Sequence, residues 1–451
     1  MNYAARLAAG AVSYMVLAHY QGKPIHYIFK RTKKNFDAVE RIKNNVPQYS
    51  PTIYLPSGYL KTISNYAKVK DTDYRRQIFK VYGDGQLAVD HFPKQKPEIS
   101  KSGMKPPLVV IIPGFGTDSS NSYIYDTVQS IYESMGWHVS VFNQKGVAKV
   151  PFTGNDLLGY WNTRDLEIVL KELSKEYDDI HLIGFSIGAN LLQTYLSDIW
   201  DHKREIAKYE LKSVSFSSNE QVNFKPEFSS QPGQKSSQQQ ARPSIRDVSD
   251  ISIIDKICSS VCISPIYHFE SSSKLISSKR WVDPVLKSKL DSYIKYNMQF
   301  EDFKNATRKA GITEDKIKKM SNFKELSQFV IQAVLNEPDT SRALNAVSPL
   351  QHLRDMNTRM LCISSLDDPI VDSYHLPIDS AFTNESLLLA LVTSGGHISY
   401  SHGLLNTNWS ILMAMQYMRE QQADRRPRSM ACVNNGDREI MCGISAKPIG
   451  R

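Results

Sequence analysis

The sequence predicts an α/β fold with a mostly parallel central sheet. A continuous apolar run typical of a central parallel strand occupies residues 108–112, and the runs at 180–183 and 359–366 are also strand-like. Helical patterns separate such runs, as at 163–177, and this alternation is typical of parallel sheets. With 451 residues, of which 41% are hydrophobic, the chain can form one α/β core with an inserted helical cap and flexible ends.

Composition divides the chain into segments. A Ser- and Gln-rich stretch has too few apolar residues to fold alone, and both ends differ from the core. We expect a strand at 211–217, before this stretch, and helical residues from about 251 to 345 after it. The predicted segments are a membrane anchor at 1–22, an N-terminal extension with the first strands at 23–105, core at 106–222, a disordered insertion at 223–250, a helical cap at 251–345, core at 346–420 and a flexible basic tail at 421–451.

A glycine-flanked serine follows the run at 180–183. Residues 184–188 read Gly-Phe-Ser-Ile-Gly and join this predicted strand to a helical pattern. A strand, a sharp turn and a helix expose a serine hydroxyl, and the glycines allow close backbone approach. A glycine-flanked turn without chemistry has the same local pattern, so the prediction of Ser186 as nucleophile depends on partners downstream.

Candidate partners follow in the order serine, acid, histidine. The pair Asp367-Asp368 ends one apolar run and His397 follows another, so both lie at the sheet edge where α/β proteins gather binding residues. A histidine after two glycines also fits a turn that caps its own backbone. The three together favour catalysis, with Ser186 as nucleophile, His397 as base and Asp368 as the carboxylate that orients the imidazole.

Two backbone N–H groups are expected to form an oxyanion hole. One belongs to Ile187, directly after the nucleophile, and the other to Phe115 in the turn at 113–116. A glycine-rich turn needed only for chain reversal is the alternative. The position of the turn relative to Ser186 favours the oxyanion hole.

Two further motifs flank the predicted core. Residues 56–62 read PSGYLKT, and residues 141–148 read VFNQKGVA. With the nucleophile, acid and base segments, they resemble the α/β hydrolases of the membrane-anchored abhydrolase and medium-chain fatty-acid esterase group, which includes acylglycerol and phospholipid hydrolases. The similarity covers roughly residues 54–418.

The resemblance implies an α/β-hydrolase fold and a serine hydrolase that cleaves carboxylic esters of lipids through an acyl-enzyme, without cofactor or metal. It also selects the second acid of the pair, Asp368, and leaves Asp367 to support the loop. Pro113, Tyr59 and Lys145 depart from the His, His and Arg of the family. None of these changes removes a triad atom, but Pro113 bears on the polarity of the acyl pocket.

Two other functions fit the same residues. Transfer of the acyl group to an alcohol would use the same acyl-enzyme, and a catalytically silent protein would hold a lipid in the pocket. An apolar groove under the cap would hold an acyl chain and exclude water. Five cap residues are candidates to line it, although ordinary packing explains most of them equally well: Trp281, Tyr293, Tyr296, Met298 and Phe300.

The N-terminus predicts a membrane partner. Residues 3–20 are apolar apart from Arg6 and His19, just short of the ~20 residues of a spanning helix. Basic residues outnumber acidic ones in the segment after this run. By the positive-inside rule, this predicts a single-pass anchor with a cytoplasmic catalytic domain, on the endoplasmic reticulum or another endomembrane. A signal peptide is not expected, because no clear small-residue cleavage site follows the apolar run, and the segment has too few arginines for a mitochondrial presequence. A buried amphipathic helix is the alternative. The flank contains Lys23, Lys30, Arg31, Lys33, Lys34, Arg41 and Lys43 against Asp37 and Glu40.

Charge and cysteine content exclude other classes. The net charge of +9 forms no basic stripe with interleaved aromatics, so nucleic acid is not an expected partner and an anionic membrane surface is. Five cysteines form neither a disulfide framework nor a metal-ligand pattern and fit a reducing compartment. We expect no cofactor, no metal and no obligate protein partner.

Overall fold

A computed structural model of the chain describes residues 24–52, 55, 58, 60–62, 73–98, 105–157, 159–216, 252–403 and 406–425. Nine strands form one large sheet, and two short strands pair separately. In chain order they are β1 His26–Ile28, β2 Arg75–Val81, β3 Gly85–Phe92, β4 Leu108–Ile112, β5 His138–Phe142, β6 Ile180–Phe185, β7 Ile257–Ile263, β8 Met360–Ser365, β9 Leu387–Val392, β10 Ser401–His402 and β11 Thr407–Asn408.

Helices alternate with these strands and also form a block between β7 and β8. They are α1 Lys33–Asn45, α2 Ser122–Met135, α3 Thr163–Glu176, α4 Ile187–Phe216, α5 Ile253–Lys256, α6 Phe269–Ser278, α7 Val282–Asn297, α8 Glu301–Lys309, α9 Glu314–Lys319, α10 Phe323–Leu335, α11 Thr340–Ala346, α12 Ile378–Thr383 and α13 Trp409–Arg425.

Local sequence explains where several helices begin and end. Thr32, Asn162, Asn322 and Asp339 accept N–H groups from the first turns of α1, α3, α10 and α11. These residue types are preferred helix N-caps because their side chains satisfy otherwise unpaired donors. Gly136, at φ 66°, ends α2 in the left-handed conformation that glycine adopts without strain.

The large sheet has the order β1-β9-β8-β7-β6-β4-β5-β3-β2. Six neighbouring strands, from β9 to β5, are parallel, whereas β1, β2 and β3 pair antiparallel. The mostly parallel α/β sheet predicted from the sequence is confirmed. Because its central strands run in one direction, their carboxyl ends and the loops after them gather at one edge.

Helices cover both faces of the sheet, so its central strands are buried on both sides. Val109 and Ile111 of β4 belong to the apolar core that includes α1, α2 and α13. Val110 and Ile112 belong to the core that includes α3 and α4. Alternate side chains of a strand point to opposite faces, and the double cover therefore requires the continuous apolar run of β4.

Two segment assignments are wrong in the region of the insertion. Within the described part of the strand expected at 211–217, residues 211–216 are helical instead, because α4 continues to Phe216. The sheet instead receives β7, which lies inside the predicted cap at 251–345. Both segments mix serine with apolar residues, and periodicity does not separate strand from helix in such short runs. The cap helices therefore begin with α6, at Phe269.

The C-terminal boundary also differs from the prediction. The tail expected from residue 421 is helical up to Arg425, because Gln421 and Gln422 are buried. The Gln422 side chain contacts His181 at 2.9 Å and donates to Asp179 at 2.6 Å, which fixes the end of α13 on the core.

The predicted membrane anchor at 1–22 and the predicted insertion at 223–250 lie outside the described residues. Among the helices that the structure describes, none has both the length and the apolar composition required to cross a bilayer.

Candidate active site

Ser186 occupies the sharp turn between β6 and α4. Its φ is +52°, a left-handed conformation that costs energy for a residue with a side chain. A Cβ on Gly184 would lie 2.5 Å from Ala189 Cα, and one on Gly188 would lie 2.4 Å from the carbonyl oxygens of Ile112 and Pro113. The two flanking glycines are therefore required by the close passage of the backbone.

The structure brings Ser186, His397 and Asp368 together from three strand ends. His397 Nε2 lies 2.7 Å from Ser186 Oγ, and His397 Nδ1 lies 2.8 Å from Asp368 Oδ2. All three side chains are buried. Asp368 also accepts the N–H groups of Ile370 and Val371 at 2.8 and 3.0 Å, which holds the carboxylate towards the imidazole.

Asp367 supports the loop that carries the histidine. Its carboxylate accepts the N–H groups of Gly395 and Gly396 at 2.7 and 2.9 Å and the hydroxyl of Ser365 at 2.6 Å. Burial alone would raise the pKa of Asp367, but these hydrogen bonds lower that pKa below its usual value. Asp367 therefore remains an anion that ties two loops together. The carboxylate that contacts the imidazole is that of Asp368.

The motif at 56–62 packs against the histidine loop through its described residues. Thr62 Oγ1 accepts the N–H of His397 at 2.9 Å and donates to the carbonyl of Gly58 at 2.6 Å. The buried Lys61 donates to Ser394 Oγ at 2.9 Å, and its carbonyl accepts the hydroxyl of Ser399. This motif thus fixes the backbone of the base.

Sequence reasoning missed Ser264, which holds the other side of the same loop. Its hydroxyl accepts the N–H of Ile398 at 3.2 Å and contacts the hydroxyl of Tyr400 at 2.8 Å. Ser264 directly follows β7 and so lies at the same sheet edge as the other strand-end residues. Correct assignment of β7 as a strand would have been the signal that identified it.

The predicted oxyanion-hole residues lie beside the nucleophile. Ile187 is the first residue of α4, so its N–H has no acceptor within the helix. Phe115 follows Gly114, whose added Cβ would lie 3.4 Å from Ser186 Cβ. The Gly114 N–H donates to the hydroxyl of Tyr123 at 3.0 Å, which braces this turn. Both predicted donors border the same cavity as Ser186.

An apolar cavity of about 130 Å³ opens at Ser186 and His397. It lies between the core loops and the cap helices α6, α7 and α10. The cap contributes apolar side chains to most of its wall. They include Phe269, Ile276, Leu286, Leu290, Phe323, Val330 and Ile331.

Of the five cap residues proposed to line a groove, only Tyr293 does so. Trp281 is 66% exposed and Tyr296 is 38% exposed. Met298 and Phe300 pack at the edge of a cluster around Phe303. The reason is helical spacing, because Leu286, Leu290 and Tyr293 share the face of α7 that points into the cavity.

The motif at 141–148 joins the core to the cap. Tyr293 donates its hydroxyl to the carbonyl of Lys145 at 3.1 Å, and Asn297 donates to the carbonyl of Gly146 at 3.0 Å. The buried Lys145 ammonium contacts Asp156 at 3.2 Å and Asp165 at 3.1 Å. Burial raises the pKa of Asp165 to about 6, although Lys145 opposes this shift. Lys145 therefore holds this motif against two buried carboxylates of the core.

The arrangement provides one line of proton transfer. Asp368 can stabilise an imidazolium at His397, and His397 can accept the hydroxyl proton of Ser186. The adjoining cavity can hold an apolar group against the reacting serine while excluding water.

Several known proteins are similar to this chain in sequence or in structure. No family model matches the chain. Human phospholipase ABHD3 is 21% identical over 363 residues, covering 79% of this chain and 74% of the human protein. The monoacylglycerol lipase of Saccharomyces cerevisiae is 19% identical over 396 residues, covering 83% of this chain and 74% of the yeast protein. An esterase structure from Pyrococcus furiosus aligns with a TM-score of 0.42 and 11% identity, covering 79% of this chain and 98% of its own. The two sequence relatives confirm the predicted resemblance.

Proposed function

We propose that this chain, an α/β hydrolase and a carboxylic ester hydrolase, cleaves lipid esters through an acyl-enzyme on Ser186. The observation that carries the proposal is the 2.7 Å contact between His397 Nε2 and Ser186 Oγ at the opening of an apolar cavity. A nucleophile with an adjacent base, itself oriented by Asp368, is the arrangement that acyl transfer needs.

The proposed reaction has two steps. His397 accepts the Ser186 proton as Oγ attacks the ester carbonyl, and the N–H groups of Phe115 and Ile187 stabilise the oxyanion. His397 then gives the proton to the leaving alcohol, and the acyl group remains on Ser186. In the second step His397 removes a proton from water, which attacks the acyl carbonyl. His397 then returns that proton to Ser186 Oγ as the acyl–oxygen bond breaks and the carboxylic acid leaves.

Three substrate types remain within the proposal: acylglycerols, phospholipids and medium-chain fatty-acid esters. The apolar wall formed by the cap supports a lipid acyl chain as the bound group. The names of the relatives, a phospholipase and a monoacylglycerol lipase, support the same substrate classes.

We also propose that residues 1–22 anchor the chain to an endomembrane, with the catalytic domain in the cytoplasm. Exposed basic residues on and just before α1 support this, because they suit an anionic membrane surface: Lys30, Arg31, Lys33, Lys34 and Lys43. Fractionation of the full chain and of a chain without residues 1–22 tests the anchor. If the two chains divide between membrane and soluble fractions in the same proportion, residues 1–22 are not an anchor.

The first test is labelling by a fluorophosphonate probe together with hydrolysis of p-nitrophenyl esters across acyl lengths. We expect both in the wild-type protein and neither in Ser186→Ala. A folded wild-type protein that is not labelled would favour the silent lipid-binding alternative. Labelling with ester cleavage only in the presence of an alcohol acceptor would favour acyl transfer.

A further inference from the structure

The turn after β4 passes directly beside the nucleophile. A Cβ on Gly114 would lie 3.4 Å from Ser186 Cβ and 3.4 Å from the hydroxyl oxygen of Tyr123. The turn closes through the N–H of Thr117, which donates to the carbonyl of Gly114 at 3.2 Å. Gly116 has a φ of +61°, a conformation that glycine adopts without strain. A single layer of backbone thus separates the nucleophile from the Tyr123 hydroxyl.

Two buried hydroxyls hold both polar backbone groups of Gly114. The Gly114 N–H donates to the hydroxyl of Tyr123 at 3.0 Å, and the Gly114 carbonyl accepts the hydroxyl of Thr117 at 2.7 Å. The hydroxyl oxygens of Thr117 and Tyr123 are themselves 2.7 Å apart. Because Thr117 donates its only hydroxyl proton to the carbonyl, Tyr123 must be the donor to Thr117. The four groups therefore form a closed ring of hydrogen bonds with one direction.

This ring fixes the direction of the next backbone N–H. The carbonyl of Gly114 and the N–H of Phe115 belong to one peptide group, which is planar and trans. In such a group the two bonds point in opposite directions, so donors at the carbonyl also determine where the N–H points. Thr117 provides two donors, its N–H at 3.2 Å and its hydroxyl at 2.7 Å. Loss of the hydroxyl would remove the shorter of these two bonds.

Tyr123 also connects this turn to the strand that carries the nucleophile. Its ring packs edge-on against Phe185, with 5.1 Å between the ring centroids and 77° between the ring planes. Phe185 directly precedes Ser186. Burial raises the pKa of Tyr123 to about 12, so its hydroxyl keeps the proton that it donates to Thr117 at neutral pH. Tyr123, from α2, therefore holds the turn and the nucleophile relative to each other.

We propose that Thr117 and Tyr123 are positioning residues of the oxyanion hole, which hold the Phe115 N–H towards the oxygen of the reacting carbonyl. The inference rests on the proposed function, because an oxyanion forms only if Ser186 attacks an ester. Neither hydroxyl needs to contact the substrate. A preorganised N–H needs no reorientation as negative charge develops, so its effect is greatest in the transition state. Loss of either hydroxyl should therefore lower kcat and leave KM nearly unchanged.

The kinetic test uses three threonine variants of the full chain, with p-nitrophenyl butyrate as substrate. Thr117→Val removes the hydroxyl and keeps the shape of the side chain, and we expect it to lower kcat about ten- to hundredfold. Thr117→Ser keeps the hydroxyl and should stay within about threefold of wild type. Thr127→Val is the matched control, because the buried Thr127 hydroxyl donates at 2.7 Å to a carbonyl within α2, and we expect it to leave kcat unchanged. A loss of kcat in Thr127→Val or Thr117→Ser equal to that in Thr117→Val would trace the effect to packing and overturn the inference.

Inhibitor binding gives a second measurement, which includes Tyr123→Phe. 1,1,1-Trifluorodecan-2-one accepts Ser186 Oγ at its carbonyl carbon, the serine proton passes to His397, and the carbonyl oxygen becomes an oxyanion. Decan-2-ol binds without forming an oxyanion. Titration calorimetry should show that Thr117→Val and Tyr123→Phe weaken binding of the ketone about tenfold relative to that of the alcohol.

The outcomes separate this inference from the proposed reaction. If Ser186→Ala abolishes hydrolysis while Thr117→Val and Tyr123→Phe leave kcat and the ratio of ketone to alcohol affinity unchanged, the inference is wrong and the proposed reaction stands. Equal weakening of ketone and alcohol also overturns the inference, because it indicates damage to the cavity. A folded wild-type protein that neither hydrolyses an ester nor prefers the ketone overturns both.

Discussion

The two walls of the cavity differ in the interactions that hold their side chains. The core wall holds Ser186 and His397 in contacts of 2.7 to 2.9 Å, and each is braced by loops after different strands. The cap wall is largely apolar, and its side chains need only fill space. The proposed chemistry therefore depends on a few atoms, whereas selection of the proposed acyl chain would be shared by many side chains.

Substitution of two serines in the same cavity, one on each wall, should give the largest difference in activity. Ser186→Ala should reduce esterase activity roughly 10⁵-fold or more, because it removes the proposed nucleophile. Ser273→Ala, on the cap wall, should stay within about threefold of wild type. Initial rates with p-nitrophenyl esters measure both, and similar losses in the two variants would contradict the difference between the walls.

The two acidic residues Asp367 and Asp368 should differ in their effect on activity, although both belong to the core. Asp368→Asn should lower kcat about 10⁴-fold, because an amide can no longer stabilise the imidazolium or fix its tautomer. Asp367→Asn should lose much less activity and mainly loosen the loop at Gly395 and Gly396. Steady-state kinetics and thermal unfolding of both variants provide the measurement. A greater loss of kcat in Asp367→Asn would reverse their proposed roles.

Two histidines, one in the core and one beside the cap, should contribute differently to the acid dependence of the free energy of unfolding. Burial lowers the pKa of His91, in β3, from 6.5 to about 4. Below pH 6.5 the unfolded chain binds this proton first, so stability should fall as the pH drops towards 4, by up to about 3 kcal/mol. His91→Gln should flatten this part of the pH profile in urea unfolding. A profile identical to wild type would show that His91 does not contribute.

The cap histidine His268 serves as the matched control. Burial and the neighbouring His375, stacked at 4.2 Å between ring centroids, also lower the pKa of His268. Because this pair lies nearer the surface, we expect His268→Gln to change the acid dependence of unfolding less than His91→Gln.

The smallest expected effect concerns the cap wall. Leu290→Trp fills part of the cavity from the cap wall and leaves Ser186 and His397 unchanged in sequence. It should shift the preferred acyl length to shorter chains and reduce kcat/KM for long ones about tenfold, with little change for acetate esters. Hydrolysis across acyl lengths measures the shift. A uniform loss for every ester would mean that the cap also positions the reacting groups.

Much of the candidate site could be predicted from the sequence because its signals are local. The glycines around Ser186 report a close backbone passage, and Asp368 and His397 each follow an apolar run that ends at one sheet edge. Ser264 carries no such signal. Its position became visible only when β7 was placed between β6 and β8.

By itself the sequence determined the fold class, the turn at Ser186 and its two partners, because backbone sterics and strand periodicity act over a few residues. The tertiary structure decided that residues 257–263 form a strand, that α4 extends to Phe216 and that Tyr293 rather than Trp281 faces the cavity. Those outcomes depend on which distant segments pair and bury each other's surface. Such contacts join residues far apart in the chain, and no local pattern records them.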